Sequence, residues 1–64
     1  MLKIGDRVKI NHKCVPEYWD ITGTVKEILP KKRDDPLTNY VEFDVPLGTL
    51  KGEYFAEKEL DIVV

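Results

Sequence analysis

The residues best suited to chemistry lie close together in the first third of the chain. His12 and Cys14 are two positions apart, and the acids Glu17 and Asp20 follow in the same polar stretch. A structural zinc site needs four ligands and usually paired cysteines, whereas Cys14 is the only cysteine. A nucleophilic thiol would need a base, a group that orients the base and oxyanion donors, and no motif marks them. We therefore predict no catalytic residue, no metal and no cofactor, and we interpret Cys14 as a small, partly buried thiol.

Two adjacent aromatic residues in this stretch are better candidates for binding. Tyr18 and Trp19 would point to opposite sides of an extended chain, so one can pack on the core while the other is exposed. Both residue types are frequent anchors in binding interfaces. A small core favours burial of the larger ring, so we predict that Trp19 closes the core and that Tyr18 is exposed.

Lys31, Lys32 and Arg33 form a basic triplet, and Asp34 and Asp35 follow it directly. The simplest interpretation is a solvated loop whose opposite charges neutralise each other. A functional interpretation is that the triplet steers an acidic partner protein towards the domain. A third is that the triplet contacts phosphates while a nearby aromatic ring stacks on a base.

Charge is distributed unevenly along the chain. Residues 1–33 hold eight Lys/Arg and four Asp/Glu, and residues 34–64 hold two and eight, so the halves carry +4 and −6. If the fold keeps the halves apart, Arg7 and Lys9 would join the triplet on a basic side that attracts an acidic partner. The net charge of −2 disfavours a protein devoted to nucleic acid.

Turn residues recur at short intervals, and the runs between them are rich in β-branched and aromatic residues, which is typical of short strands. We predict strands at residues 7–10, 23–29, 39–45, 53–55 and 60–63. Val8 and Ile10 alternate with polar neighbours, and Ile4 continues their apolar side. Val41, Phe43 and Val45 are predicted to point inward in the same way. A bulge at residues 26–27 would reconcile the apolar spacing of the second strand, and a 3₁₀ turn is predicted at residues 56–59.

Five short strands, a long first loop at residues 11–22 and a helical turn before the last strand predict a fold that is mostly β. We interpret it as a small five-stranded SH3-like barrel that forms a single domain over residues 1–64. Gly5, Asp6 and Val8 near the start, with Gly23 and Val25 after the loop, are typical of such barrels. The OB-fold is the main alternative.

The size of the chain limits what it can contain. A domain of 64 residues buries only about 60% of the surface of its unfolded chain, which leaves little room for a deep cleft. The single cysteine fits a reducing compartment. Lys3 and Asp6 interrupt the first residues, so we expect no signal peptide, and no apolar stretch approaches the roughly 18 residues that span a bilayer. We expect a protein that is soluble or peripheral to a larger assembly.

Several runs of this sequence resemble the photosystem I E-subunit family. They are Ile4-Gly5-Asp6-Arg7-Val8-Lys9-Ile10, Glu17-Tyr18-Trp19, Gly23-Thr24-Val25, Val41-Glu42-Phe43 and Tyr54-Phe55-Ala56-Glu57-Lys58-Glu59-Leu60. The match covers most of the chain at compatible spacing. The resemblance implies an SH3-like barrel without a cofactor, on the stromal side of a photosynthetic membrane, that helps to dock ferredoxin and to hold neighbouring subunits.

We therefore predict a non-catalytic protein–protein interaction module that docks on a larger complex, with ferredoxin or a photosynthetic electron-transfer complex as the implied partner. The predicted location is cytoplasmic, or peripheral on the stromal side of a thylakoid-type membrane. The candidate partner-binding residues are Arg7, Lys9, Tyr18, Trp19, Lys31, Lys32 and Arg33. Two alternatives are a nucleic-acid-binding barrel of the KOW type and a small regulatory subunit of an enzyme, for which Cys14 would be a reactive thiol of low pKa.

Overall fold

A computed structural model describes residues 2–30 and 37–63, and these residues form one antiparallel sheet of five strands. The strands are β1 (Arg7–Ile10), β2 (Thr22–Ile28), β3 (Asn39–Leu47), β4 (Leu50–Phe55) and β5 (Leu60–Ile62). Single 3₁₀ turns lie at Pro16–Tyr18 and, directly before β5, at Glu57–Glu59. The predicted five-stranded, mostly-β fold with a 3₁₀ turn before the last strand is therefore confirmed.

The sheet has the order β4-β3-β2-β1-β5. The first four strands pair with their neighbours along the chain, and β5 returns to pair with β1. β4 and β5 are therefore the two ends of the sheet in the described part of the chain, and no strand pairing joins them there. Closure into a barrel stays a prediction.

The core lies against one face of this sheet and follows the alternation of the strands. Val8 and Ile10 are fully buried, whereas Arg7 and Lys9 between them are exposed. Burial of one such aliphatic side chain stabilises the fold by roughly 1.5–3 kcal/mol. The buried cluster consists of apolar side chains: Leu2, Val8, Ile10, Val25, Val41, Phe43, Phe55 and Leu60.

The predicted bulge in β2 is present. Val25 pairs with Val41 and Glu27 pairs with Tyr40, so Lys26 is the extra residue. The bulge shifts the pairing register but leaves Ile28 exposed at the end of the strand.

Two inward positions were wrongly predicted. Ile4 is exposed because the chain turns at residues 4 and 5, and Leu2 fills the core there instead. Val45 is 76% exposed. Since Gly23 pairs with Phe43, Val45 lies beyond the first residue of β2, and it also lies where the β3–β4 register shifts between Glu42 and Leu47. The β3–β4 hairpin continues past this point to a two-residue turn, in which Gly48 adopts a φ of +64°.

Candidate interaction surface

The first loop, residues 11–21, connects β1 to β2 and is hydrogen-bonded at both ends. The Ile10 amide donates to the Ile21 carbonyl at 2.9 Å, and the Asp20 amide donates to the Ile10 carbonyl at 2.9 Å. These bonds continue the pairing of β1 with β2, so the loop starts and finishes on the sheet. The eleven-residue loop is therefore fixed at both ends, where its backbone is hydrogen-bonded beside β1 and β2.

Asn11 connects the first loop by hydrogen bonds to residues 58–61, near the C-terminal end of the chain. Its Nδ2 donates to the Lys58 carbonyl at 2.8 Å and to Asp61 Oδ1 at 3.2 Å, while its Oδ1 accepts from the Lys13 amide at 2.9 Å. The Asn11 amide donates to the Glu59 carbonyl at 2.9 Å. One residue therefore links the first loop, the second 3₁₀ turn and β5.

The two adjacent aromatic residues occupy the reverse of their predicted positions. Tyr18 is half-buried, with its ring 5.4 Å from that of Phe55 in an edge-to-face contact and 6.1 Å from that of Phe43. Trp19 is 39% exposed. The prediction assumed an extended chain, but Tyr18 ends a 3₁₀ turn that brings it over the two phenylalanines, and the chain then turns outward at Trp19.

The exposed indole is held in a defined position. Its ring stacks on His12 with centroids 4.1 Å apart and planes 18° from parallel. Its Nε1 donates to the Cys14 carbonyl at 2.7 Å. We call His12 and Trp19 the aromatic platform. Asp20, at a φ of +65°, places its Oδ1 3.4 Å from His12 Nε2 and 3.9 Å from Lys9 Nζ.

The two basic candidates in β1 lie beside acids. Arg7 forms a two-pronged ion pair with Asp44, with NH1 2.6 Å from Oδ1, and also donates to Thr24 at 2.8 Å. Hydrogen bonds from Arg7 and Thr22 lower the pKa of Asp44 to about 2. Lys9 is more loosely placed, since its nearest carboxylate belongs to the exposed Asp20. The basic triplet, Lys31, Lys32 and Arg33, lies outside the described residues.

Cys14 is half-buried in the first loop and packs against the core. Burial, and after it the carboxylate of Glu59, raises the pKa of its thiol. A reactive thiol requires the opposite shift, so this environment does not favour nucleophilic use of Cys14. Among residues 2–30 and 37–63, no three histidine, cysteine or acidic side chains are placed to share a metal ion.

A shallow groove of about 290 Å³ beside Tyr18 was not predicted from the sequence. Its lining comes from the first loop, from β4 and from the second 3₁₀ turn, with Leu37 at one side. Tyr54, Glu53 and Glu59 are the polar residues that sequence reasoning missed. No local signal could have found them, because they come from separate segments and meet only in the folded chain.

The comparisons with known proteins do not identify the chain. No protein-family model matches it, and no curated protein matches it significantly. Within the part of the chain that the structure describes, no helix has the length and apolar character needed to cross a bilayer. The likeness to the photosystem I E-subunit family therefore stays a prediction that rests on the quoted runs of sequence, while the five-stranded sheet stands on the structure.

Proposed function

We propose that this chain is a non-catalytic interaction module that docks on a partner protein through the first loop. The observation that carries the proposal is the aromatic platform: an indole that is 39% exposed, yet is fixed by a stacked imidazole and by a 2.7 Å hydrogen bond. Tryptophan is among the residues that contribute most to protein interfaces. An exposed tryptophan that is held in place offers a partner a large apolar face to cover.

The fixed geometry supports binding because it lowers the entropy cost of association. Ordering a flexible side chain at an interface costs roughly 0.5–1.5 kcal/mol. Trp19 is already ordered by His12 and by the Cys14 carbonyl, and Asn11 fixes the loop that carries it. The Trp19 side chain therefore loses most of its conformational entropy when the domain folds and little more when a partner binds.

The implied partner is an acidic protein of the ferredoxin type, or the complex to which it docks. Lys9 lies at the edge of the platform, and its exposed ion pair with Asp20 has a separation of 3.9 Å. Exposed pairs of this kind contribute roughly 0–1 kcal/mol, so Lys9 can turn to a partner at little cost. Arg7 is a weaker candidate because a partner would have to replace its two-pronged contact with Asp44. Lys31, Lys32 and Arg33 remain basic candidates from the sequence, outside the described residues.

Nucleic-acid binding is the second candidate function, and the same platform favours it. An exposed indole flanked by lysine side chains is the arrangement on which single-stranded bases stack, at roughly 1–3 kcal/mol per base. Lys9 and Lys13 are both exposed, and the Asp20 oxygen that lies 3.9 Å from Lys9 Nζ is 3.4 Å from His12 Nε2. The two candidate functions differ in the ligand that binds the platform, which is an acidic protein in the first and a single-stranded nucleic acid in the second.

A two-dimensional NMR titration of the ¹⁵N-labelled domain separates them. Ferredoxin is added first, then a mixed pool of short RNA and DNA oligonucleotides, each at low and at moderate salt. We expect shifts at Lys9, His12 and Trp19 with ferredoxin that fade as salt rises. Shifts only with oligonucleotides would replace the proposed function by the second one, and no shift with either ligand would rule out ferredoxin and nucleic acid as ligands of this surface.

Matched variants test the contribution of each group. Trp19→Ala should abolish the shifts, and Lys9→Gln should weaken binding by roughly two- to fivefold, as expected for one exposed charge. Lys51→Gln is the control, because Lys51 is an exposed lysine on β4 and lies outside the first loop. An equal loss in Lys9→Gln and Lys51→Gln would mean that net charge, and not this surface, governs binding.

A further inference from the structure

The groove beside Tyr18 has a character different from that of the aromatic platform. Its apolar surface comes from Tyr18, Phe55 and Leu37, and its acids are Glu53 and Glu59. Its described lining contains no lysine or arginine. The groove is open to solvent, and its volume of about 290 Å³ accommodates one or two side chains.

One wall of the groove is the free edge of β4. This strand pairs only with β3 in the described sheet. The Tyr54 amide donates to Glu53 Oε1 at 2.9 Å. Two residues later, the Ala56 amide donates to Glu59 Oε1 at 2.9 Å. Both acids of the groove are therefore held by backbone amides, each through one carboxylate oxygen.

The two carboxylates are placed to receive a cation. A carboxylate has about four lone-pair positions on its two oxygens, so one backbone bond does not use its full capacity. Since the amides fix Glu53 and Glu59 before any ligand arrives, little side-chain entropy is lost on binding. Among described residues, the ion pairs of the domain involve Asp20, Glu42 and Asp44 and not these two acids.

The acidic side chains among the described lining residues of the groove are Glu53 and Glu59. Burial, followed by the charges of Glu17 and Glu53, raises the pKa of the Tyr18 hydroxyl. Burial and then Glu59 raise the pKa of the Cys14 thiol. Burial, the first cause of both shifts, disfavours a charge of either sign, whereas the second causes are carboxylates, which favour a positive ligand.

We propose that this groove binds an arginine side chain from an extended basic segment of a partner protein. The guanidinium would lie between Glu53 and Glu59 and pack its plane on the Tyr18 ring, while its methylene stem covers Phe55 and Leu37. Arginine suits the site better than lysine because its planar head forms paired hydrogen bonds with carboxylates and stacks on aromatic rings. The proposal does not depend on the platform, since Trp19 does not line the groove.

The test uses a capped peptide, acetyl-Gly-Leu-Arg-Leu-Gly-amide, titrated into the ¹⁵N-labelled domain at low salt. The matched ligand has glutamine in place of arginine. We expect amide shifts at Cys14, Tyr18, residues 53–55 and Glu59 with the arginine peptide, and no saturable shifts with the glutamine peptide. Equal binding of the two peptides, or shifts centred elsewhere, would overturn the proposal.

The matched protein variant is Glu53→Gln combined with Glu59→Gln. Glutamine keeps the oxygen that accepts each backbone hydrogen bond, so the fold is preserved while both charges are removed. We expect the affinity for the arginine peptide to fall roughly five- to tenfold, as for two partly exposed charge contacts. Glu57→Gln, on the same 3₁₀ turn but outside the groove, is the control and should change affinity by less than about twofold. An equal change in both variants would contradict the proposal.

The free edge of β4 could instead pair with a second copy of the chain. Sedimentation of the unliganded domain decides this, because edge pairing would give a dimer whose Tyr54 amide shift depends on protein concentration. We expect a monomer. A dimer that excludes the arginine peptide would overturn the proposal.

Discussion

The first loop and the tip of the β3–β4 hairpin are both long excursions from the sheet, but they are built in opposite ways. The loop has little regular structure, yet it packs Cys14, Tyr18 and Ile21 against the core. The hairpin tip consists of strand residues, with a register shift between Glu42 and Leu47, and it leaves Val45 and Leu47 exposed. Secondary structure is therefore a poor guide to which of the two contributes to stability.

The comparison teaches that side-chain anchoring can replace a strand ladder. Asn11 and the Trp19 indole each bond to backbone carbonyls, and so they satisfy groups that a sheet would otherwise pair. The hairpin tip has the Leu47–Leu50 pair beside its turn, and the Arg7–Asp44 ion pair lies at its base. We expect the loop to be sensitive to changes in its side chains and the hairpin tip to be tolerant of them.

The largest effect is expected from Tyr18→Ala. Loss of the ring removes its contacts with Phe43 and Phe55, and we expect a loss of about 2–3 kcal/mol in the free energy of unfolding. Urea unfolding followed by circular dichroism measures it. Tyr18→Phe keeps the packed ring and should cost less than about 1 kcal/mol. Equal losses in the two variants would show that the hydroxyl, and not the packed ring, anchors the loop.

Asn11→Ala should have the next largest effect. The change removes three side-chain hydrogen bonds, and we expect a loss of about 1–2 kcal/mol because each bond contributes modestly in a half-exposed position. Hydrogen exchange should also become faster at the amides of Lys13 and Cys14 than in β2 or β3. Unchanged exchange in the loop would contradict the anchoring role of Asn11.

Low pH should remove the stabilisation that the Arg7–Asp44 ion pair gives to the base of the hairpin. The pKa of Asp44 is about 2 in the folded chain, below its ordinary value of 3.8. The unfolded chain therefore takes up this proton at a higher pH, so the stabilisation is complete above about pH 4 and is lost as the pH falls towards 2. The free energy of unfolding of Asp44→Asn and of the natural chain, compared across this pH range, measures this contribution. A variant whose stability falls as steeply as that of the natural chain would sink the assignment.

The smallest effect is expected at the hairpin tip. Val45→Thr replaces an exposed valine by a residue of similar shape, and the free energy of unfolding should change by less than about 0.5 kcal/mol. A loss comparable with that of Asn11→Ala, measured in the same urea titration, would mean that the tip packs against something in solution and that the comparison is wrong.

The parts of the fold that follow local alternation could be predicted from the sequence. The bounds of β1, the bulge at Lys26 and the 3₁₀ turn before β5 all follow from patterns within a few residues. Alternation failed at Val45, because the pattern of a strand does not reveal where its neighbouring strand begins. It also could not decide which of two adjacent rings, Tyr18 or Trp19, faces the core.

The candidate surface was harder to predict because its basic residues are paired with acids that are distant in the sequence. In the sequence, Arg7 and Lys9 have the pattern of free basic groups, but the acids that meet them, Asp44 and Asp20, come from elsewhere in the chain. The groove has the same difficulty, since Glu53 and Glu59 are brought to Tyr18 only by folding. Sequence patterns therefore led to the prediction of a binding protein, but they did not reveal the groove.

His12 and the Cys14 carbonyl hold the Trp19 indole in one position in the free domain. The most direct test is ¹⁵N relaxation of the free domain, with the heteronuclear NOE measured at the Trp19 indole and at the amides of both excursions. We predict that the indole and the loop amides are as rigid as those of β2, and more rigid than residues 45–49 at the hairpin tip. An indole more mobile than the hairpin tip would contradict the account.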